Sequence, residues 1–259
     1  MTPVVDLMTC ALMREVRDGD VVGVGLGTPL ALCAALAARR AGAPGAEVLV
    51  AGALSPDADL LTCLRGAQAL AGRTPGFVPH LDTMDMAERR AMTLQFLRPA
   101  QVGPDGAMNT SRVAGPDGRP MRLPGGLATA DVPRLLPRLV IYHPDHRPRS
   151  LPARPEHVTG PPGSATRVVT DLCVIALEAG GPRIASLHPG AGAADVVAAT
   201  GFRLDAPDDV PTTPPPTPAE RAALDEVDPH GLRGLEHRAT RREAGSRLHD
   251  LLATEAAHA

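Results

Sequence analysis

The sequence contains no lysine, so all 26 basic residues are arginine. Walker-type phosphate loops, protein-kinase chemistry and Schiff-base chemistry with pyridoxal phosphate each need a lysine amine, and this chain supplies none of them. Tryptophan is absent, and the aromatic residues are Phe77, Phe96, Phe202 and Tyr142 alone. The core must therefore be assembled from Leu, Val, Ala and Met. Cysteine is scarce and scattered: Cys10, Cys33, Cys63 and Cys173 form no Cys-x-x-Cys pair. That spacing fits reduced, buried thiols of a cytoplasmic protein and argues against a disulfide framework or a zinc site. No apolar run reaches the roughly 20 residues that cross a bilayer, and the N-terminus lacks the basic and apolar segments of a signal peptide. A net charge of -3 leaves no basic footprint, so nucleic acid is not an expected partner. No Gly-x-Ser-x-Gly elbow occurs, which disfavours an α/β-hydrolase.

What is present points to one α/β domain within the 259 residues. The stretch from Gly19 to Arg39 reads as turn, strand, glycine loop and helix. Val21, Val22 and Val24 form the β-branched run of a buried parallel strand. Gly23, Gly25 and Gly27 let the backbone turn sharply, and Pro29 suits the first position of the Ala/Leu-rich helix that follows. A strand feeding a helix through glycines leaves open N–H groups at the helix N-terminus, where a phosphate or oxyanion can bind; the plainer reading is a tight turn only. A first helix is expected over 3–17, and a second strand over 47–51 leads into Gly52-Ala-Leu-Ser-Pro-Asp-Ala-Asp59. Ligands of open α/β sheets sit outside the carboxyl ends of strands, so residues 24–28 and 51–57 are expected to face one crevice.

Further along, 60–79 reads as a weakly patterned loop and 82–92 as a helix. Pro104-Asp-Gly106 is a turn between two short strands within 97–110. A second glycine loop spans 123–131, a strand 138–143, and a Pro/Arg-rich stretch without periodicity 143–163. Residues 167–177 and 183–188 read as a hairpin around Gly180-Gly181, and 193–200 as a short helix closed by Gly201. A proline-rich linker covers 205–218, and Thr217-Pro-Ala-Glu220 is a capping box that starts another helix.

Several residues invite chemistry. Asp57 and Asp59 follow the second strand and are candidate general bases; the plainer reading is a loop carboxylate capping the next helix. Gly25, Gly27, Gly125 and Gly126 are candidates to line a ligand pocket, against pure turn geometry. Gln101 and Asn109 flank the Pro-Asp-Gly turn, either aiming amides at a ligand or bonding within the hairpin. His143 and His146 have a His-x-x-His spacing, but no third ligand lies nearby in sequence, so no metal is expected. His188 reads as a turn histidine. Gly23-Val-Gly-Leu-Gly27 resembles a dinucleotide fingerprint only partly, with Thr28 in place of the next glycine and Ala51 in place of an acid at the second strand's end.

The ordered set of segments from about residue 6 to 233 resembles the β subunit of family I CoA-transferases, of the glutaconate CoA-transferase type. The residues that carry the resemblance are Gly25-Leu-Gly-Thr-Pro29, Ala100-Gln-Val-Gly-Pro-Asp-Gly-Ala-Met-Asn109, Pro124-Gly-Gly126, Val158-Thr-Gly-Pro-Pro-Gly163, Val168-Val-Thr-Asp171, Leu187-His-Pro-Gly190, Thr200-Gly-Phe202 and Asp228-Pro-His-Gly231. The resemblance implies a three-layer α/β/α open sheet over 1–233, leaving 234–259 as a charged helical tail. It also implies an α-subunit partner in a hetero-oligomer, α2β2 in form, with coenzyme A thioester as substrate and no bound cofactor. In such transferases a glutamate at the end of the second strand attacks the thioester, and backbone N–H groups hold the oxyanion. Here that strand ends in Ala51-Gly52-Ala53, and the glycine loop reads Leu123-Pro-Gly-Gly-Leu127. Without the carboxylate, hydrolytic or lyase-type cleavage of an acyl-CoA is the leading expectation, with Gly25, Gly27, Gln101, Asn109, Gly125 and Gly126 around the CoA or acyl group. The alternatives are true CoA transfer to a carboxylic acid, a non-catalytic scaffold that shapes the partner's active site, and a free-standing small-molecule binding protein.

Overall fold

The computed structural model describes residues 2–25, 27–115 and 117–256. The chain divides into two units, Met1–Thr83 with Pro215–Ala259, and Met84–Pro214. In chain order the first unit begins with α1 (Val4–Met13), β1 (Val21–Val24), α2 (Pro29–Ala41), β2 (Glu47–Val50), β3 (Ala53–Leu54), α3 (Leu60–Leu64) and β4 (Gly76–Phe77). Helix α4 (His80–Glu88) leads into the second unit. There follow β5 (Leu94–Leu97), β6 (Gln101–Val102), β7 (Met108–Asn109), β8 (Arg112–Ala114) and β9 (Pro120–Arg122), then a 3₁₀ turn (Leu127–Ala130) and α5 (Val132–Leu135). The second unit ends with β10 (Arg138–His143), β11 (Ala165–Thr170), β12 (Cys173–Glu178), β13 (Gly181–Leu187) and α6 (Ala193–Ala198). The chain returns to the first unit as α7 (Pro218–Val227), a second 3₁₀ turn (Leu232–Glu236) and α8 (Arg241–Ala256).

In the first unit, β1 and β2 are parallel, with Val22 beside Val48 and Val24 beside Val50. Their carboxyl ends therefore lie at the same edge, as the strand pattern predicted. Helix α2 is apolar all round, and every residue from Pro29 to Ala38 is buried. A helix without a polar face has to be enclosed. It is covered by α1, α7 and the second 3₁₀ turn, and it packs on β1 and β2. Those covering segments come from both ends of the sequence and are tied together by ions. Arg233 donates to Asp6 at 2.9 Å and to Asp228 at 2.9 Å, and Asp228 in turn accepts the Leu232 N–H at 2.7 Å. The expected capping box is present: the Thr217 hydroxyl oxygen accepts from Glu220 N, and the Glu220 carboxylate accepts from Thr217 N. Arg14 holds the same carboxylate through both oxygens at 2.8 Å.

In the second unit, β10 lies between β5 and β11 with both pairings parallel, and β12 and β13 continue antiparallel. The mixed, substantially parallel sheet with helices is the α/β class expected from the sequence. The Pro104-Asp-Gly106 hairpin forms as β6 and β7. The apolar run 167–177 is two strands and not the single one expected. The Thr170 hydroxyl oxygen accepts from the N–H groups of Leu172 and Cys173, at 3.2 and 3.1 Å, and closes a turn inside the run. Segment 60–79, expected as a loop, carries α3 and β4. The glycines of Val158–Gly163 and Thr200–Phe202 are packing sites. A Cβ on Gly163 would lie 2.0 Å from the Pro133 carbonyl oxygen, and one on Gly201 2.6 Å from that of Leu151. The segment expected as a charged tail is helical over Arg241–Ala256, and 257–259 lie outside the described residues.

Candidate functional site

The carboxyl end of β1 runs into Gly25 and Gly27, both exposed, with Leu26 between them outside the described residues. Thr28 precedes α2 as a residue of capping type, but its hydroxyl turns back and donates to the Gly25 carbonyl, making no bond to the helix. The cap comes from far away in sequence: the Leu30 N–H donates to the Glu236 carboxylate at 2.8 Å. The helix N-terminus expected to await a ligand's phosphate thus already holds an anion supplied by the chain.

The end of β2 differs from the expected loop. Val50 pairs with Ala53, so Ala51 and Gly52 are the two central residues of a tight hairpin into β3. Their φ angles are 53° and 80°, positive at both positions as a type I′ turn requires. Gly52 accepts this freely, whereas Ala51 bears a cost of about 1 kcal/mol in the left-handed region. Non-glycine residues held there mark positions the surroundings over-determine. Asp57 is exposed, and its backbone N–H bonds the Arg73 carbonyl at 2.7 Å. Asp59 is the N-cap of α3, and its carboxylate accepts from Thr62 N at 2.8 Å.

The remaining candidates belong to the second unit. Asn109 is fully buried, and its amide donates to Gln101 Oε1 at 2.8 Å and to the Arg112 carbonyl at 2.7 Å. Gln101, also buried, donates to the Glu156 carboxylate at 2.9 Å and accepts from Glu156 N at 2.9 Å. Both amides thus bond within the protein, and Asn109 fixes the backbone that presents Arg112. Gly125 and Gly126 line an open cleft of about 510 Å³ together with Ser111, Arg112, Arg122 and His157. Gly125 has a φ of 99° and donates its N–H to the Thr110 carbonyl at 2.9 Å. Of the two N–H groups expected for an oxyanion, only that of Gly126 is open among the described residues.

Arg112, Arg122, Ser111 and His157 escaped the sequence reading because hairpin β8–β9 did. A signal was there: a second Pro-Asp-Gly at 116–118, the same tripeptide read as a turn at 104–106. Leu127 follows the glycine pair with a φ of 30° and a surface exposure of 87%.

His146 and His188 are structural in geometry, each held through both ring nitrogens. Thr200 donates its hydroxyl to the Val196 carbonyl and so accepts from His146 Nε2 at 2.9 Å, while Thr170 Oγ1 lies 2.9 Å from Nδ1. His188 bonds the Thr170 carbonyl through Nε2 and Thr213 through Nδ1, each at 2.9 Å. Burial pushes His143 and His146 down to about 4, with the Arg98 charge adding to the effect at His143. Among the described residues, no group of three or more His, Cys, Asp or Glu is placed to hold a metal ion. All four cysteines are buried thiols, and burial raises Cys10, Cys63 and Cys173 to about 12. No helix among the described residues is long and apolar enough to cross a membrane.

Parallel strands with a glycine loop and a basic cleft in the second unit define an α/β protein. No family model matches the chain. It is 27% identical over 256 residues to a subunit of 3-oxoadipate CoA-transferase from Pseudomonas knackmussii, covering 89% of this chain and 97% of that protein. Among solved structures it resembles a chain of the decarboxylase AibA/AibB at 28% identity, with a TM-score of 0.81 over 91% of this chain and 98% of that one. The fold also matches a chain of glutaconate coenzyme A-transferase from Acidaminococcus fermentans, with a TM-score of 0.75 at 20% identity over 87% of this chain and 94% of that one. In sequence and fold the chain resembles the β-type subunits of the CoA-transferase family.

Proposed function

We propose that this chain works with an α-type partner subunit, as a cytoplasmic α2β2 hetero-oligomer, on an acyl-CoA or related thioester, and that it cleaves a bond by hydrolytic or lyase-type chemistry. The observation that carries the reading is Ala51. It lies in the strained turn at the end of β2, where the resemblance implies that a transferase would carry its glutamate, and a methyl group forms no anhydride. The likeness to a decarboxylase supports bond cleavage without transfer. In this reading a partner carboxylate activates water or removes a proton, and the Gly126 N–H contributes to holding the developing oxyanion. Gly125, backed by the buried Gln101 and Asn109, is assigned to the wall of the CoA or acyl site in the second unit, and the exposed Gly25 and Gly27 to a ligand contact in the first. Exposed apolar side chains at Met121, Leu127 and Val158 support a partner that covers them.

Incubating the two-chain complex with acyl-CoAs in water enriched in heavy oxygen tests the reading. Label entering the acyl product without an added acid supports hydrolysis. Strict dependence on a carboxylic acid acceptor returns the chain to CoA transfer, the second reading, which the likeness to the 3-oxoadipate enzyme favours. Full turnover that is insensitive to every polar residue of this chain would leave it as a scaffold.

A further inference from the structure

We propose that the cleft between hairpin β8–β9 and the Gly125-Gly126 loop is an oxyanion-recognition subsite in which Arg112 and Arg122 hold an anionic group of the thioester ligand. The inference rests on the functional reading above for the ligand's class, and on the cleft itself for the chemistry. Among the described residues its polar lining is Arg112, Arg122, His157 and Ser111 with the two glycines, without a carboxylate. Neither guanidinium has a hydrogen-bond or ion-pair partner among the described residues. The other arginines of this region do have partners: Arg119 pairs with Asp117, and Arg149 donates to the Ala114 carbonyl. The nearest acid, Glu156, faces the neighbouring recess and is engaged on both oxygens, accepting from Gln101 Nε2 at 2.9 Å and from Ala114 N at 2.6 Å.

The cleft is also built to stay open. Strands β8 and β9 pair at Arg112 with Arg122, so the two guanidiniums rise from opposed positions of one ladder. Asn109 clamps the Arg112 backbone through its carbonyl at 2.7 Å and its N–H at 3.3 Å. The Leu123 N–H bonds the Ser111 carbonyl at 2.9 Å, and Thr110 takes the Gly125 N–H at 2.9 Å, so the glycine loop is held against the hairpin base. Two fork-shaped cations with an open backbone N–H beside them suit a planar carboxylate or a phosphate, which they bind through paired charge-assisted bonds. The volume of about 510 Å³ accommodates a small charged group with part of its chain. Two parts of an acyl-CoA carry such a group: the phosphates of the carrier, and a free carboxylate at the far end of the acyl chain.

Calorimetric titration of the full-length chain separates these sources with three probes. CoA carries phosphates, succinyl-pantetheine carries only a carboxylate, and pantetheine carries neither. The expected result is that CoA or succinyl-pantetheine binds at least tenfold tighter than pantetheine. The double variant Arg112→Gln/Arg122→Gln should abolish that difference, while Arg154→Gln, an exposed arginine elsewhere, preserves it. Preference for CoA assigns the subsite to phosphate, and preference for succinyl-pantetheine to an acyl carboxylate. If neither anion outbinds pantetheine, or if the double variant keeps the preference with an unchanged circular dichroism spectrum, the proposal is overturned. Failure of the wider reading looks different: the two-chain complex then turns over no acyl-CoA at all. Turnover with an unchanged KM in the double variant overturns the subsite alone.

Discussion

The Leu30 N–H and the Glu236 carboxylate meet at 2.8 Å although 206 residues separate them, and their bond closes the N-terminus of α2, whose residues from Pro29 to Ala38 are all buried. A carboxylate at that position satisfies an open donor and opposes the helix dipole. Glu236→Ala is expected to lower stability by about 1 kcal/mol, with Glu236→Gln losing less because the amide oxygen still accepts. Urea denaturation read at constant m-value measures both; equal stability of all three proteins would remove the cap from the account.

Asp57 and Asp59 have different environments. Since Asp59 already accepts the Thr62 N–H as an N-cap, Asp59→Ala should cost about 1 kcal/mol. Because the base is assigned to the partner, kcat of the reconstituted complex should stay within about threefold for Asp57→Asn and Asp59→Asn alike. A tenfold fall in kcat at unchanged KM for Asp57→Asn would move the proton-transfer role onto this chain.

Acid should weaken the second unit. His143 and His146 sit at about 4 when folded, against 6.5 for an unperturbed histidine, so between those values the unfolded chain binds more protons than the folded one. The stability they contribute is complete above about pH 6.5 and is lost as pH falls towards 4, of order 2 kcal/mol for each at pH 5. Thermal midpoints measured from pH 7 to 4.5 should fall accordingly, and the His146→Gln variant should show a shallower slope than the wild-type protein.

Gly163→Ala is expected to be among the most damaging single-methyl additions. Its new Cβ would fall 2.0 Å from the Pro133 carbonyl oxygen, a backbone atom that cannot rotate away. A loss of about 2 kcal/mol or more, seen as a drop in soluble yield and in the denaturation midpoint, is the expected outcome. Gly180→Ala, with nothing within 4 Å of the added carbon, serves as the benign comparison.

Local chemistry made much of the architecture readable in advance. Pro29 opens α2, Thr217 and Glu220 form their reciprocal cap, and Pro104-Asp-Gly106 turns between β6 and β7, because each depends on residues within a few positions of one another. Strand β10 coincides with the apolar run 138–143 for the same reason. Where the expectation failed, a short-range competitor was overlooked: the Thr170 hydroxyl breaks the run 167–177, and the second Pro-Asp-Gly marks hairpin β8–β9.

By itself, then, the amino-acid order determined the α/β class and the exclusion of lysine chemistry. Only the tertiary structure decided what occupies each strand end and loop. Glu236 reaches Leu30, Asn109 and Gln101 bond inward, and Arg112 and Arg122 line one cleft with Gly126. Hydrogen bonds and charges act through distances of a few ångströms, and those distances are set by chain segments brought together from positions that no local pattern links.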